Sequence, residues 1–373
     1  MTEPSARTGL SPQTVVVKIG SSSVTAGEAG VDAAAVARLG DDVVALRSQG
    51  HQAVVVSSGA VAAGWAAMGG GRRPTDPVVL QALAAVGQHR LMRVYDDEFS
   101  DRGMTAAQVL LAPLDFAQRQ QYLHARQTLA ALLDMGVVPV VNENDVTADD
   151  EIRFGDNDRL AALVAHMVAA DLLVLLTDTP GLFTADPRLD AEASLIEEVA
   201  EIDHVLEAAA GGSGSPVGSG GMAAKLAAAR IAGWSGVRTV IADASRAKVV
   251  LAAVNDEAGI GTVFRPHRRR LPARKLWIAF ALRAAGRLVV DDGARRALCE
   301  RDASLLAAGV QAVEGRFDAD DAVEIAGTDG AVFAKGLVRH DDQRLRAWAG
   351  HRSTELPDGA GEIVHRDDLV VLT

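Results

Sequence analysis

Two kinds of hydrophobic pattern alternate along the first two thirds of the chain. Short, continuous apolar runs such as TVVVKIG (14–20) and DLLVLLTD (171–178) are typical of strands buried on both faces. Longer runs with helical spacing separate them, and VDAAAVARLGDDVVALRSQG (31–50) is a clear example, with Asp32 as the N-cap and Gly50 just past the end. Strands that alternate with helices predict a mainly parallel sheet with helices on both faces.

The pattern changes after Phe264. The segment RPHRRRLPARK (265–275) is basic, contains prolines and has no apolar run, which is typical of a linker. Short apolar runs with closely spaced turn residues follow, from LWIAFAL (276–282) to EIVHRDDLVVLT (362–373), and they predict strands of a small β-rich domain. The predicted division is an α/β domain at 12–264, a linker at 265–273 and the β-rich domain at 274–373.

Composition narrows the function classes. A length of 373 residues fits two domains, and a net charge of −12 disfavours a general nucleic-acid binder. The single cysteine, Cys299, excludes an intrachain disulfide and favours a reducing compartment. The N-terminus lacks a secretory apolar core, and His166 and Asp171 interrupt the most membrane-like run, 160–176. We therefore expect a soluble, cytoplasmic protein that crosses no membrane.

The polar segments that follow the predicted strands are candidate sites, because ligands bind at the carboxyl ends of parallel strands. KIGSSS (18–23) could hold phosphate oxygens through a lysine and turn amides, or be an ordinary turn. SSGA (57–60) could offer hydroxyl and N–H groups to a carboxylate, or only begin a helix. GSGGMAAKLAAARIAGWSG (218–236) predicts a glycine-rich loop that opens a helix, with Lys225 in its first turns as part of an anion site.

The densest polar stretch is NENDVTADDEIRFGDND (142–158), directly after an apolar run. So many carboxylates and amides at a strand end predict a ligand site, and a solvated acidic loop is the alternative. The stretch has no histidine or cysteine, which disfavours zinc. Its oxygen atoms suit Mg²⁺, which proteins usually hold through substrate phosphates.

Taken in order, KIGSSS, SSGA, NEND, GDND, TD (177–178) and GSGGMAAK resemble the motifs of the amino acid kinase family, and the β-rich tail resembles a PUA domain. The most specific element is the pair NEND (142–145) and GDND (155–158), which is similar to that of members acting on free glutamate. The resemblance implies a three-layer αβα sandwich with a mainly parallel sheet, followed by a PUA-like domain.

The implied reaction transfers the γ-phosphoryl group of ATP to the side-chain carboxylate of L-glutamate. The product would be glutamyl 5-phosphate, which begins proline biosynthesis. The resemblance further implies Mg²⁺ as cofactor, proline as feedback inhibitor, and a homo-oligomer, either a dimer or a tetramer.

The resemblance also assigns roles to residues at matching positions. Lys18 and Lys225 are the expected catalytic residues. Ser58, Asp145 and Asn157 are the expected glutamate-binding residues, with Asp145 pairing with the α-ammonium group and the other two holding carboxylates. The expected nucleotide-binding residues are Lys18, Thr177, Asp178, Ser219, Gly220, Gly221, Met222, Ala223, Ala224 and Lys225. No metal ligand is assigned. The first loop, SSSVT (21–25), departs from the family's usual G-T-S-x-x-T pattern, which leaves open which serine contacts phosphate.

Two alternatives remain at the level of sequence. The first is another amino acid kinase, acting on aspartate, N-acetylglutamate or carbamate, against which the NEND and GDND pair argues. The second is RNA binding through the PUA-like domain. Basic residues there, such as Arg295, Arg296 and Arg301, are dispersed among acids, so nucleic acid is not expected as a partner.

Overall fold

Two compact units make up the chain. The computed structural model describes residues 11–26, 30–112, 115–116, 118–147, 157–185, 187, 190, 192–200, 202, 206, 221–267, 270–357 and 361–372. Contacts divide the chain into Met1–Arg270 and Leu271–Thr373. The predicted linker at 265–273 therefore spans the division, and its exact limits stay a prediction.

A mainly parallel sheet forms the centre of the first unit, as predicted. Its strands are β1 (Thr14–Ile19), β2 (Gln52–Val56), β3 (Ala106–Leu111), β4 (Val138–Glu143), β5 (Leu172–Thr177), β6 (Glu198–Val199), β7 (Arg238–Asp243) and β8 (Thr262–Phe264). Their order is β3-β4-β2-β1-β5-β7-β8-β6. Neighbouring strands pair in parallel, except that β7 and β8 are antiparallel.

Helices connect these strands. They are α1 (Ser21–Val24), α2 (Ala33–Ser48), α3 (Ala60–Ala67), α4 (Pro77–Ser100), α5 (Arg119–Asp134), α6 (Asn157–Met167), α7 (Met222–Trp234) and α8 (Val249–Val254). The predicted ends of α2 are confirmed: the Asp32 side chain accepts hydrogen bonds from two backbone N–H groups, and Gly50 has a φ of +86°. No helix in the described part of the chain is long and apolar enough to span a membrane.

Alternation along β1 distributes its side chains to two helical layers. Val15, Val17 and Ile19 are buried in the core that includes residues of α2 and α4. Because successive side chains point to opposite faces, Val16 and Lys18 point the other way, and α6 contacts β1 there. Full burial of each valine side chain contributes roughly 1.5–3 kcal/mol. The first unit thus has the predicted αβα layering.

The second unit is rich in short strands, as predicted. The strands are β9 (Gly286–Val290), β10 (Leu305–Leu306), β11 (Val310–Gly315), β12 (Ala322–Ala326), β13 (Val332–Leu337), β14 (Glu362–Val364) and β15 (Leu369–Val371). They form a sheet of order β11-β9-β12-β13-β15 and a separate pair, β10-β14. The accompanying helices are α9 (Ala273–Leu276), α10 (Asp292–Arg301) and α11 (Asp342–Trp348).

The predicted strand at 276–282 is wrong. This run is helical, because α9 continues into a π-helical turn at Trp277–Ala281. Periodicity alone cannot separate a buried helical turn from a strand in so short an apolar run. A distant contact accompanies the helical form: the buried ammonium group of Lys335 donates to the carbonyl oxygens of Ala279 and Leu282 at the end of the turn.

Candidate active site

The candidate site lies where β1, β2 and β4 end. Lys18 is level with Val56 on β2, and Val56 is level with Val141 on β4. Because the three strands are parallel neighbours, the polar residues at their carboxyl ends are brought together at one edge of the sheet.

Two lysines share one aspartate at this edge. Lys18 Nζ lies 2.5 Å from Asp158 Oδ1, and Lys225 Nζ lies 3.0 Å from Asp158 Oδ2. All three side chains are buried, with exposed fractions of 5%, 7% and 1% for Lys18, Lys225 and Asp158. Lys225 Nζ also donates to the carbonyl oxygen of Gly221 at 3.3 Å. The structure therefore brings together both lysines that the sequence predicted as catalytic.

The charge of Asp158 is maintained by these lysines. Burial alone would raise the pKa of the Asp158 carboxyl, but the ammonium groups of Lys18 and Lys225 outweigh burial and hold its pKa below the usual value. The carboxylate compensates one of the two positive charges. Two ammonium groups held close together in a buried place suit the binding of an anion.

Local sequence places these three side chains. Asp158 is in the first turn of α6, where the helix dipole favours a negative charge. Lys225 lies one turn into α7, which begins at Met222 and packs against α6, so it lies in the first turns of a helix as predicted. The direction of the Lys18 side chain follows from the alternation of side chains between the two faces along β1.

A network of amide side chains lies beside the lysines. Asn157 Nδ2 donates to the backbone oxygen of Ser57 at 2.9 Å, to Ser58 Oγ at 2.8 Å and to Asn142 Oδ1 at 3.1 Å. Asn142 Nδ2 in turn donates to Gln88 Oε1 at 2.8 Å. Two predicted glutamate-binding residues, Ser58 and Asn157, are thus in direct contact.

Helix α4 supports this network from behind. The hydroxyl of Tyr95 lies 2.9 Å from Ser57 Oγ, which itself donates to the backbone oxygen of Ser58 at 3.2 Å. The Tyr95 hydroxyl is therefore the donor to Ser57. Burial raises the pKa of Tyr95, although the hydrogen bond with Ser57 opposes this, so the hydroxyl keeps its proton at neutral pH.

Sequence reasoning missed Gln88 and Tyr95. Gln88 lies on α4 and Tyr95 lies two turns further along it, each within a helical pattern that gives no sign of a polar contact. Asn142 was noticed only as part of the NEND motif.

Asp145, the third predicted glutamate-binding residue, lines a cavity of about 260 Å³ beside β4. Gln88, Glu143 and Asn144 also line it. Glu143 is 7% exposed and ends β4. The hydrogen bonds from Asn157 through Asn142 to Gln88 connect this cavity with the Ser58 side of the site.

The predicted nucleotide-binding residues are in part described. Thr177 is buried at the end of β5, level with Asp243 on β7, and its hydroxyl donates to Asp178 Oδ1 at 3.1 Å. Gly221 precedes α7, and Met222, Ala223 and Ala224 form its first turn. Ser219 and Gly220 lie outside the described residues.

The described residues do not fit a metal ion held by protein side chains alone. No group of three or more His, Cys, Asp or Glu side chains among them is arranged to hold a metal. Asp158, which contacts both lysines, is engaged by two ammonium groups.

A parallel α/β sheet with two buried ammonium groups at its strand ends is suited to phosphoryl transfer. The model of the Amino acid kinase family matches residues 13–243, and that of the PUA domain matches residues 286–359. The chain belongs to the amino acid kinase family. Family membership makes it a kinase, and the resemblance read from the motifs is confirmed.

Relatives of nearly full length carry the name Glutamate 5-kinase. The protein of that name from Pelobacter propionicus is 46% identical over 363 residues, which cover 96% of this chain and 97% of the relative. The one from Geobacter metallireducens is 47% identical over the same shares of both chains. The one from Nocardia farcinica is 46% identical over 96% of this chain and 97% of the relative.

Proposed function

We propose that the chain transfers the γ-phosphoryl group of ATP to the side-chain carboxylate of L-glutamate and so makes glutamyl 5-phosphate, the first step of proline biosynthesis. The observation that carries this proposal is the pair of buried lysines on Asp158, next to the network of Ser58, Asn157 and Asn142. The names of the full-length relatives support glutamate as the acceptor.

The chemistry needs charge compensation more than proton transfer. A glutamate carboxylate with a pKa of about 4.3 is ionised at neutral pH, so it attacks without a general base. One of its oxygens forms a bond to the γ-phosphorus while the bond between that phosphorus and the bridging oxygen breaks, and ADP leaves with the electron pair. Lys225 uses two of its three N–H groups on Asp158 and Gly221, which leaves one for a phosphoryl oxygen. Removal of one such donor typically lowers kcat by about 10²–10³-fold.

The substrate carboxylates need donors, and Ser58 supplies one. Its Oγ accepts from Asn157, so its own hydrogen is directed elsewhere. Asn157 Nδ2 has three acceptors for two hydrogens, which leaves Asn157 mainly as the residue that orients Ser58. Asp145, in the neighbouring cavity, supplies the negative charge for the α-ammonium group.

Several further features belong to the same proposal. Mg²⁺ would compensate charge on the ATP phosphates, through which proteins usually hold it. Thr177, Asp178 and the residues at 219–225 bind the nucleotide. Proline acts as feedback inhibitor, and the enzyme is a cytoplasmic homo-oligomer, either a dimer or a tetramer. The single cysteine of the sequence, Cys299, supports a reducing compartment.

The direct test is ATP-dependent formation of a hydroxamate in the presence of Mg²⁺ and hydroxylamine, with L-glutamate, L-aspartate and N-acetylglutamate compared. Hydroxylamine traps an acyl phosphate, so the signal reports the reaction type together with the acceptor. We expect signal with L-glutamate, none without ATP, and little with the other two acids. Signal with another acid alone would keep the mechanism and overturn the assignment of glutamate.

A further inference from the structure

Backbone atoms determine which amide atoms of this network donate hydrogen bonds and which accept them. Asn142 Oδ1 accepts from the backbone N–H of Glu143 at 2.9 Å, and a backbone N–H can only donate. The other amide atom of Asn142 is therefore Nδ2, which must donate to Gln88. The Gln88 atom at 2.8 Å from it is consequently Oε1, and the second amide atom of Gln88 is the donor Nε2.

This Nε2 donor has no protein partner in the described part of the chain, although the atom is buried. Leaving a buried N–H group without a hydrogen bond costs free energy, so such a group signals a missing acceptor. Gln88 lines the cavity of about 260 Å³ that Asp145 also lines, so the side chain that carries this donor borders the same cavity as an acid.

The chemistry of the cavity fits one end of an α-amino acid. Glu143 and Asp145 offer negative charge to an ammonium group, and Gln88 offers an N–H donor to a carboxylate. An α-amino acid carries an ammonium and a carboxylate group on a single carbon atom, so both sets of contacts can form in one small cavity. The side-chain carboxylate that reacts must lie near Lys18 and Lys225. The α-carboxylate is therefore the group that can accept a hydrogen bond from Gln88.

We propose that Gln88 is a substrate-binding residue whose Nε2 donates to the α-carboxylate, the carboxylate that is not phosphorylated, and that it thereby selects acceptors with a free α-carboxylate. The proposal rests on the proposed glutamate kinase activity and assigns a specificity role to a residue of α4. Its Oε1, bound to Asn142, holds the donor in place.

The substitution Gln88→Glu tests this role, because it replaces the Nε2 donor by an acceptor and keeps an oxygen for Asn142. Two substrates are compared: L-glutamate, and its α-amide, in which a carboxamide replaces the α-carboxylate. The wild type should prefer L-glutamate. In the variant the introduced carboxylate repels the α-carboxylate and accepts from the α-amide, so we expect the ratio of the two kcat/KM values to fall by about 10- to 100-fold.

Gln108→Glu is the matched control. Gln108 lines the same cavity from β3, but its side chain is exposed and has no part in the amide network, so the variant adds the same charge without the same contact. For this variant we expect the ratio of kcat/KM for L-glutamate to kcat/KM for the α-amide to stay within about threefold of the wild-type value.

The outcomes distinguish failure of the proposed kinase function from failure of the role assigned to Gln88. Wild-type enzyme that forms no hydroxamate from L-glutamate overturns the proposed function and this inference with it. Wild-type turnover together with a Gln88→Glu variant that loses activity equally on both substrates overturns the role of Gln88 alone. An equal fall of the ratio in Gln108→Glu also overturns it, because the effect would then come from charge in the cavity.

Discussion

Asp158 illustrates, at the scale of single residues, how one side chain can serve two others. Each of its oxygens lies against one ammonium group, at 2.5 Å for Lys18 and 3.0 Å for Lys225. Without this carboxylate, two like charges would be buried near one another and each would lose its contact with Asp158. The sequence marks the residue only as an acid at the start of a helix, which is also a common place for a helix cap.

Replacement of Asp158 by asparagine keeps the shape and removes the charge. We expect kcat to fall by roughly 10²-fold, because the lysines lose the group that fixes their positions. The free energy of unfolding should fall by about 3 kcal/mol, as buried charges lose their partner. Steady-state kinetics at saturating substrates and urea unfolding measure the two effects. Asp134→Asn, at an exposed position on α5, is the control, and a kcat within threefold of wild type in Asp158→Asn would contradict the assigned role.

Asp42 shows the opposite behaviour of a buried acid. It is 5% exposed on α2, and the described residues provide no hydrogen-bond partner for its Oδ1. Burial raises the pKa of this carboxyl to about 7, a backbone hydrogen bond from Val250 opposes the shift, and the charge of Asp41 adds to it. Asp42 therefore keeps its proton in the folded chain up to about pH 7.

The raised pKa of Asp42 predicts a pH-dependent stability. From pH 3.8, the ordinary pKa, to about 7, the folded chain binds more protons than the unfolded chain, so stability declines as the pH rises through this window. Asp42→Asn removes this decline. At about pH 8 it should be more stable than wild type by up to about 4 kcal/mol, and near pH 4 the two should be similar. Urea unfolding across this range tests it, and a difference that does not change with pH would contradict the prediction.

At the scale of elements, the close crossing of α3 and α4 supports the substrate side of the site. A Cβ atom on Gly87 would lie 1.8 Å from the backbone oxygen of Ala60, and one on Gly64 would lie 1.9 Å from that of Leu83. Only glycine lets the two backbones approach so closely. Because α3 begins two residues after Ser58, the crossing also fixes where the serine loop lies.

Gly87→Ala should force the two helices apart. We expect a loss of about 2 kcal/mol in the free energy of unfolding, since overpacking outweighs the gain of about 1 kcal/mol in helix propensity. The KM for glutamate should rise several-fold as the loop at Ser58 shifts. Gly40→Ala on α2 is the control, because its new methyl group would meet the side chain of Arg102, which can move. Equal stability of the two variants, measured by urea unfolding, would contradict the importance of the crossing.

The elements that could be predicted from the sequence are those with a strong local signal. Strands β1, β2 and β5 are continuous apolar runs, and α2 has both a capping aspartate and a terminal glycine. The run at 276–282 could not be predicted, because its helical turn is accompanied by a contact with Lys335, more than fifty residues away in the sequence.

The same distinction applies to the candidate site. Lys18, Ser58 and Lys225 were predicted because the ends of parallel strands and the beginnings of helices are places that a local pattern reveals. Gln88 and Tyr95 lie inside a long helix and reach the site only because α4 packs beside the strand ends. No local pattern contains that information, so these residues required the tertiary structure.

At the scale of the whole molecule, the distribution of charge bears on the alternative of RNA binding. The net charge of the chain is −12. Arginines of the second unit have acidic partners, as shown by Arg287–Glu324, Arg295–Asp329, Arg339–Glu362 and Arg274–Asp368. Exposed pairs of this kind add little stability, but each acid lowers the positive potential that a phosphate backbone would meet.

We therefore expect no salt-dependent RNA binding by the wild-type chain. A protein that neutralises several phosphates loses affinity steeply with salt, with a slope of about −0.7 per phosphate for single strands, whereas this chain should show a weak and flat signal. Fluorescence anisotropy with a labelled oligonucleotide at about 50 to 200 mM salt measures it. The double variant Glu324→Gln and Asp329→Asn releases Arg287 and Arg295 and should bind more tightly at low salt. Steep, salt-sensitive binding by the wild type would show that the paired arginines remain available to phosphate, and the second unit would then have to be considered an RNA-binding domain.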